Sequence, residues 1–261
     1  MSAPLLHLDH RAILRLSGPD TRSFLQGLVT NDVTGVTADK AVYAAILTPQ
    51  GKYMYDMIIM ADGDDLLLDI EAARKTDLMR RLMMYKLRAD VTITDETALG
   101  VWVSFERPDA PGITVPDPRH AGLGWRLVAT GCPDAPTLNR DDYEQARLRH
   151  GVPDGSRDMI PEKYFWLETA AERLHGVSFT KGCYVGQELT ARMKHRTNLK
   201  KILRPVRVEG GAPDAGTAIE TDTGKAAGEI RTSNGDLALA YFRLEHEDAA
   251  LCCNGQPVTL L

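Results

Sequence analysis

Lys181-Gly182-Cys183-Tyr184-Val185-Gly186-Gln187-Glu188 is the stretch on which the reading of this chain turns. Two glycines bracket one cysteine and one tyrosine, a pattern that permits tight turns and the close approach of another backbone or a ligand. Cys183 stands two residues from Lys181 at the head of a basic segment, surroundings of the kind that favour a thiolate. A helix starting near Gly186 adds the positive end of its dipole and sets Glu188 and Arg192 one turn apart, where they can pair. Such a thiolate acts either as a nucleophile or as a soft ligand to iron. The bland alternative is a structural turn around a buried, inert cysteine, and the residues alone leave both open.

The basic segment, Lys181 to Arg207, carries eight cations against the single acid Glu188, in a chain of 261 residues with a net charge of −5. That asymmetry predicts a local anion site rather than a DNA-binding face, with a simple solvated face as the equal alternative. Nothing else points to nucleic acid. The remaining cysteines, Cys132, Cys252 and Cys253, show no CxxC spacing, so zinc-ribbon and thioredoxin chemistry have no basis. All three are expected to be small buried hydrophobes in a reducing compartment. The longest apolar runs, such as Leu66–Leu68 and Met57–Met60, are too short to cross a bilayer, and Met1–Arg11 lacks a signal-peptide pattern. The expectation is therefore a protein of the cytoplasm or an organelle matrix, without a membrane partner. P-loop, GxGxxG, HExxH and GxSxG motifs are missing, and the histidines form no ligand-spaced cluster. His7, His10 and His195 are read as surface or capping residues.

Outward from the central stretch, the patterning is α+β. Arg11–Leu16 reads as a strand, Ser17-Gly18-Pro19-Asp20 as a helix entry, and Phe24, Leu25 and Leu28 as the apolar face of that helix. Ala41–Leu47 and Tyr53–Met60 flank a Pro- and Gly-bearing connection, and Leu66–Ile70 follows a tight turn. A helix from about Ala72 to Leu87 and strands at Val91–Thr94 and Leu99–Phe105 complete a mainly antiparallel sheet covered by helices. Arg107–Pro118 is expected as a loop, Arg140–His150 as a helix stopped at Gly151, and Pro161 as the opening of another through Glu168. Short strands between Gly-rich turns from Leu203 onward predict a small β-barrel or sandwich.

The run Lys181–Glu188, continued by Leu189-Thr190-Ala191-Arg192, resembles the signature of the YgfZ family of folate-linked iron–sulfur proteins. That family includes mitochondrial assembly factors for [4Fe–4S] clusters. It is related to the T-protein of the glycine cleavage system, a tetrahydrofolate-dependent aminomethyltransferase. Phe24-Leu25-Gln26-Gly27 with Thr30-Asn31-Asp32-Val33, Thr48–Asp56 and Tyr85–Val91 match in order and spacing, so the resemblance covers Leu5 to Leu260. It implies three parts: residues 1–40 with 141–197 as a composite first domain, 41–140 as a ferredoxin-like second, and 198–261 as a C-terminal β-barrel. A folate is then expected in the central hollow.

By the same resemblance Cys183 is the functional thiol and a transient iron–sulfur ligand shared with a partner, with Lys181, Tyr184, Gln187, Glu188 and Arg192 around it. Glu168 falls where T-proteins place a pterin-binding glutamate; a carboxylate can accept two hydrogen bonds from a pterin. Asn31 is a ligand or a turn cap. T-proteins carry adjacent acids after the glycine hairpin; here Tyr55-Asp56 leaves only Asp56. The implied function is a tetrahydrofolate-binding monomer that supports assembly or repair of [4Fe–4S] clusters in client enzymes, with A-type carrier proteins as partners. The alternative is a folate-dependent one-carbon transferase or demethylase working through Asp56 and Glu168. A third reading is a scaffold whose cysteine is structural.

Overall fold

The computed structural model describes residues 2–196 and 199–261. A short strand β1 (Leu6–His7) leads into β2 (Arg11–Ser17), the six-residue helix α1 (Thr21–Gln26), and three long strands, β3 (Val42–Leu47), β4 (Tyr53–Asp62) and β5 (Asp65–Glu71). Helix α2 (Lys75–Lys86) follows a single 3-10 turn, then β6 (Thr92–Asp95), β7 (Leu99–Ser104), β8 (Ile113–Pro116) and β9 (Trp125–Thr130). After α3 (Arg140–Arg149) and α4 (Gln187–Arg196), six strands close the chain: β10 (Lys201–Val208), β11 (Ala218–Thr221), β12 (Ala226–Asn234), β13 (Leu237–Arg243), β14 (Leu251–Cys253) and β15 (Gln256–Leu260).

These strands make a five-stranded sheet in the order β3-β4-β5-β2-β6, a four-stranded sheet in the order β1-β7-β9-β8, and a closed six-stranded barrel. Every pairing between named strands is antiparallel. The α+β reading and the C-terminal barrel are thus what the chain forms.

β3 and β4 read as nearly unbroken apolar runs because both faces of their sheet are covered. On one face Ile13, Tyr43, Ala45, Leu47, Ile58, Met60 and Leu67 enter a central core with β7, β9, α3, Trp166 and the barrel residues Leu203, Leu237 and Leu239. On the other, Leu14, Leu16, Ile46, Met57, Ile59 and Leu68 form a second core with Leu25 and Leu28 of the α1 region and Leu78 and Leu82 of α2. Val185, from the central stretch of the sequence reading, packs against this second core. Trp166 is fully buried between Tyr43 and Tyr53, a position where truncation to alanine costs about 3–5 kcal/mol.

Several expectations need correction. Pro161 opens no helix; the only helical turn in that region is a 3-10 turn at Trp166–Thr169, ended by Ala170 in the left-handed conformation. Arg107–Pro118 is not all loop, because Ile113–Pro116 pairs with β9 as an edge strand, where proline is tolerated. The boundary drawn at residues 40 and 41 separates β2 from β5, with which it pairs from Arg11 to Leu16. Residues 41–140 feed both sheets, β3 to β6 the larger and β7 to β9 the smaller, so they do not stand as one ferredoxin-like unit. The boundary drawn at 197 and 198 lies outside the described residues. Cys132 is exposed on the bend after β9 rather than buried, whereas Cys253 is buried in the barrel.

Candidate functional site

The loop around Cys183 is fastened on both sides while the cysteine itself is exposed. Upstream, the Lys181 Nζ donates to the carbonyls of Gln26 and Val29 (2.7 Å for the latter), the orphan acceptors at the end of α1. The Gln26 amide returns the bond to the Lys181 carbonyl at 3.3 Å and also binds Asp32 at 3.1 Å. Burial pushes the Lys181 ammonium down to about 8, with Asp32 pulling the other way. A neutral amine still has two N–H donors, enough for both carbonyls. Lys181 therefore ties the loop to α1, and the segments Phe24–Gly27 and Thr30–Val33 meet the cysteine stretch in space.

Downstream, Tyr184 is buried in the central core, and burial raises its phenol above the ordinary range. Gly186 has φ +85, and a Cβ there would stand 2.6 Å from the Thr48 carbonyl oxygen. Gly51, φ +70, faces it from the β3–β4 connection. Two glycines thus let the hairpin and the start of α4 touch backbone to backbone. Thr190 closes the first turn of α4 by donating to the Gly186 carbonyl at 2.9 Å. Gly182, φ +99, has open space around it. Cys183 sits between this open glycine and the Tyr184 anchor, exposed rather than buried.

Of the other residues expected here, Glu188 and Arg192 pair at 2.6 Å on exposed ground, and Gln187 is the half-buried first residue of α4. Three of the eight cations of the basic segment pair with acids distant in sequence. Lys194 pairs with Glu172, Arg204 with Glu247 at 3.3 Å, and Arg207 with Asp236 at 2.8 Å. Its charge is thus spread over α4 and the barrel, with partners the sequence count did not include. Among the described residues no three His, Cys, Asp or Glu side chains are grouped to hold a metal ion.

Asn31, Asp56 and Glu168 lie around the buried aromatic cluster of Tyr43, Tyr53 and Trp166. Asn31 donates to the Tyr43 and His175 carbonyls at 2.8 and 2.7 Å and accepts from the Asp32 amide at 2.9 Å. It borders a cleft of about 510 Å³ also lined by Asp32, Glu172 and His175. Asp56 is buried and accepts from the Tyr53 hydroxyl at 2.8 Å and the Tyr43 hydroxyl at 3.2 Å. Burial raises its carboxyl, against the pull of Arg11 and Tyr53. Glu168 accepts through Oε2 from the Phe165 amide at 3.0 Å and the Tyr241 hydroxyl of β13 at 2.8 Å, which joins the Trp166 turn to the barrel. Its Oε1 has no protein donor among the described residues.

An ionic network between the two sheets escaped the sequence reading. Asp69 accepts from Arg11 at 2.7 Å and from Arg126, and Arg126 reaches Asp117 at 3.2 Å, which Arg119 also holds at 2.7 Å. All five side chains are nearly or fully buried. Burial alone raises Asp117, but Arg119 and Arg126 reverse it and hold the carboxyl far below its usual range. One signal was available: Arg11, Asp69 and Arg126 sit at the same alternation as the inward residues Ile13, Leu67 and Val128 of their strands.

Residues 2–106 match the family described as the GCVT N-terminal domain, and residues 200–261 that described as the CAF17 C-terminal beta-barrel domain. The mitochondrial iron–sulfur cluster assembly factor IBA57 of Mus musculus is 35% identical over 277 residues, covering 91% of this chain and 77% of the relative. Its Homo sapiens counterpart is 34% identical, covering 90% and 76%. The crystal structure of glycine cleavage system aminomethyltransferase T from Bartonella henselae superposes with a TM-score of 0.76 over 99% of this chain and 85% of the other. At 11% identity that likeness is one of fold. The chain belongs to the IBA57 family of iron–sulfur cluster assembly factors, built on the aminomethyltransferase fold with a CAF17-type barrel at its C-terminal end.

Proposed function

We propose that this protein supports the assembly or repair of [4Fe–4S] clusters in client enzymes, in the cytoplasm or an organelle matrix, and that Cys183 is its essential thiol. The observation that carries this reading is the contrast at the loop: Lys181, Tyr184 and Gly186 are locked, and the sulfur they position is exposed. A cluster is the cargo here. Such clusters are ordinarily held by four ligands, and this loop offers one, so the rest come from a partner such as an A-type carrier protein. Family membership supports the same direction.

A folate finds unequal support among the three residues expected to meet it. Glu168 fits, since Oε1 is free to accept from a pterin N–H while Oε2 stays bonded to Tyr241. Asp56 does not, because both oxygens are occupied by tyrosine hydroxyls inside the core. Asn31 spends its amide hydrogens on backbone carbonyls and acts as a strut. The enclosure of Asp56 speaks against a one-carbon transferase with that residue as base, and the accessory role is preferred.

The test uses cells lacking the protein and reads the activity of a [4Fe–4S] enzyme, such as a radical-SAM tRNA-modifying enzyme. Wild type restores that activity, and Cys183→Ala at matched soluble level does not. Full restoration by Cys183→Ala overturns the role given to the thiol.

A further inference from the structure

Helix α2 presents apolar side chains on two faces. Leu78 and Leu82 enter the second core, with Met79 and Tyr85 beside them. On the other side Arg80, Met83, Met84 and Leu87 follow at the i, i+3, i+4, i+7 spacing of a single helical face. A helix on a protein surface ordinarily makes that face polar. Here Met83 is 52% exposed, Met84 63% and Leu87 87%. Leu87 follows the last helical residue at φ +45 and ψ −105, a positive-φ conformation that a side chain rarely adopts. Its side chain stands in solvent and adds nothing to the core.

The stripe has a basic rim: Arg80, Arg81, Lys86 and Arg88. Among the described residues only Arg80 of these four pairs with an acid, Asp77 at 2.9 Å. The stripe also lies on the same side of the five-stranded sheet as the elements that hold the cysteine loop. Past Leu87, the Asp90 amide donates to Asp20 at 2.8 Å, at the entry of α1. α1 is six residues long, about 9 Å at helical rise, and its far end holds Lys181. α1, α2 and Val185 all pack on the same face of the five-stranded sheet.

We propose that the exposed stripe of α2 and the Cys183 loop form one docking surface for an acidic protein partner, with an apolar anchor of that partner seated on Met83, Met84 and Leu87. The proposal rests on the iron–sulfur reading for one point, that the partner meeting this surface is the one that meets Cys183. Charge complementarity sets the partner's sign, since three of the four rim cations, Arg81, Lys86 and Arg88, have no acid partner among the described residues. Methionines adapt to a partner's groove. An anionic bilayer is disfavoured by the lack of an aromatic residue on the stripe.

The intact chain, labelled at its methionine methyls, is titrated with a synthetic helical peptide whose leucine face is flanked by glutamates. The controls are the same peptide with lysines for glutamates, and anionic phospholipid vesicles. The Met83 and Met84 resonances shift with the glutamate peptide alone. Affinity falls roughly tenfold in Met84→Glu/Leu87→Glu, and severalfold as salt rises from about 50 to about 300 mM. No shift, an equal shift with the lysine peptide, or a shift with vesicles instead overturns the proposal. Cys183→Ala separates the two readings, because it binds the peptide like wild type yet fails to restore client-enzyme activity. Met84→Glu/Leu87→Glu, folded as judged by an unchanged Tm, restores client activity severalfold less than wild type. Full restoration by that variant overturns the docking role and leaves the thiol's role standing.

Discussion

The junction between the two sheets and the loop around Cys183 handle polar groups in opposite ways. At the junction, Arg11, Asp69, Arg126, Asp117 and Arg119 are buried and pair with one another, and Asp56 beside them is closed in by two tyrosine hydroxyls. Burial and neighbouring charge shift Arg11, Asp117, Arg119 and Asp56 from their ordinary ranges, the usual mark of an active site. Here they bridge layers: β2 and β5 on one side, β9 and its neighbours on the other. The loop around Cys183 does the reverse. Its charged and aromatic residues are spent on fastening, and the one group left facing outward is a thiol. Perturbed charge belongs to the frame, and the exposed thiol to the loop.

The comparison breaks first, and with the largest effect, at Asp69. Asp69→Asn removes the only carboxylate that Arg11 and Arg126 share and leaves two guanidinium groups under-compensated in the core. Breaking a buried pair in this way costs about 3–5 kcal/mol, although replacing the whole network by apolar residues need not. The urea unfolding midpoint measures it. A loss below about 1 kcal/mol would mean that the junction is well solvated and that its charges do not hold the sheets together.

How much of this was legible beforehand differs between the two regions. The loop was, because Gly182, Gly186 and the lysine next to a lone cysteine are local features whose spacing carries their meaning. So were the strands from Arg11 to Ile70, where unbroken apolar runs report burial on both faces, and the α4 pair Glu188–Arg192. The junction was not, since Arg126 meets Asp69 across 57 residues and only the sheet pairing brings them together. The edge strand Ile113–Pro116 was hidden by its proline and the surrounding turn residues, and the stretch from Pro161 by a periodicity that Ala170 cuts short in the left-handed conformation. Glu168 was singled out as a pterin contact, but its bond to Tyr241 joins residues 73 apart and no local pattern announces it.

A second, smaller effect sharpens the account of the loop. Gly186→Ala puts a methyl 2.6 Å from a backbone oxygen at φ +85, so hairpin and helix start must separate. The expected loss is about 2–3 kcal/mol, the sum of backbone strain and overpacking. Gly182→Ala makes the matching control. Its φ of +99 is equally unsuited to alanine, but nothing stands within 4 Å, so only the strain of about 1 kcal/mol is expected. Equal losses at the two glycines would show that the contact with the Thr48–Gly51 hairpin contributes nothing to holding Cys183.

The smallest effect is a slope. Lys181 holds its proton less tightly in the folded chain, at about 8, than at its ordinary 10.5, because burial disfavours the ammonium. Between those two values the unfolded chain therefore carries a proton that the folded chain has released. Stability attributable to Lys181 accordingly rises with pH across that window, and below pH 8 both states are protonated and the folded one bears the burial cost. Because the side chain is only half-buried, solvent screening trims the gain to about 1 kcal/mol or less. Lys181→Met removes this rise, so the difference in unfolding midpoint between wild type and variant widens from pH 8 to pH 10, while other groups titrating there cancel between the two chains. A constant difference would mean that Lys181 stays an ammonium when folded, bonded to Gln26 and Val29 as a cation. In that event the loop, like the junction, is held by buried charge, and the contrast between the two regions rests on the exposure of Cys183 alone.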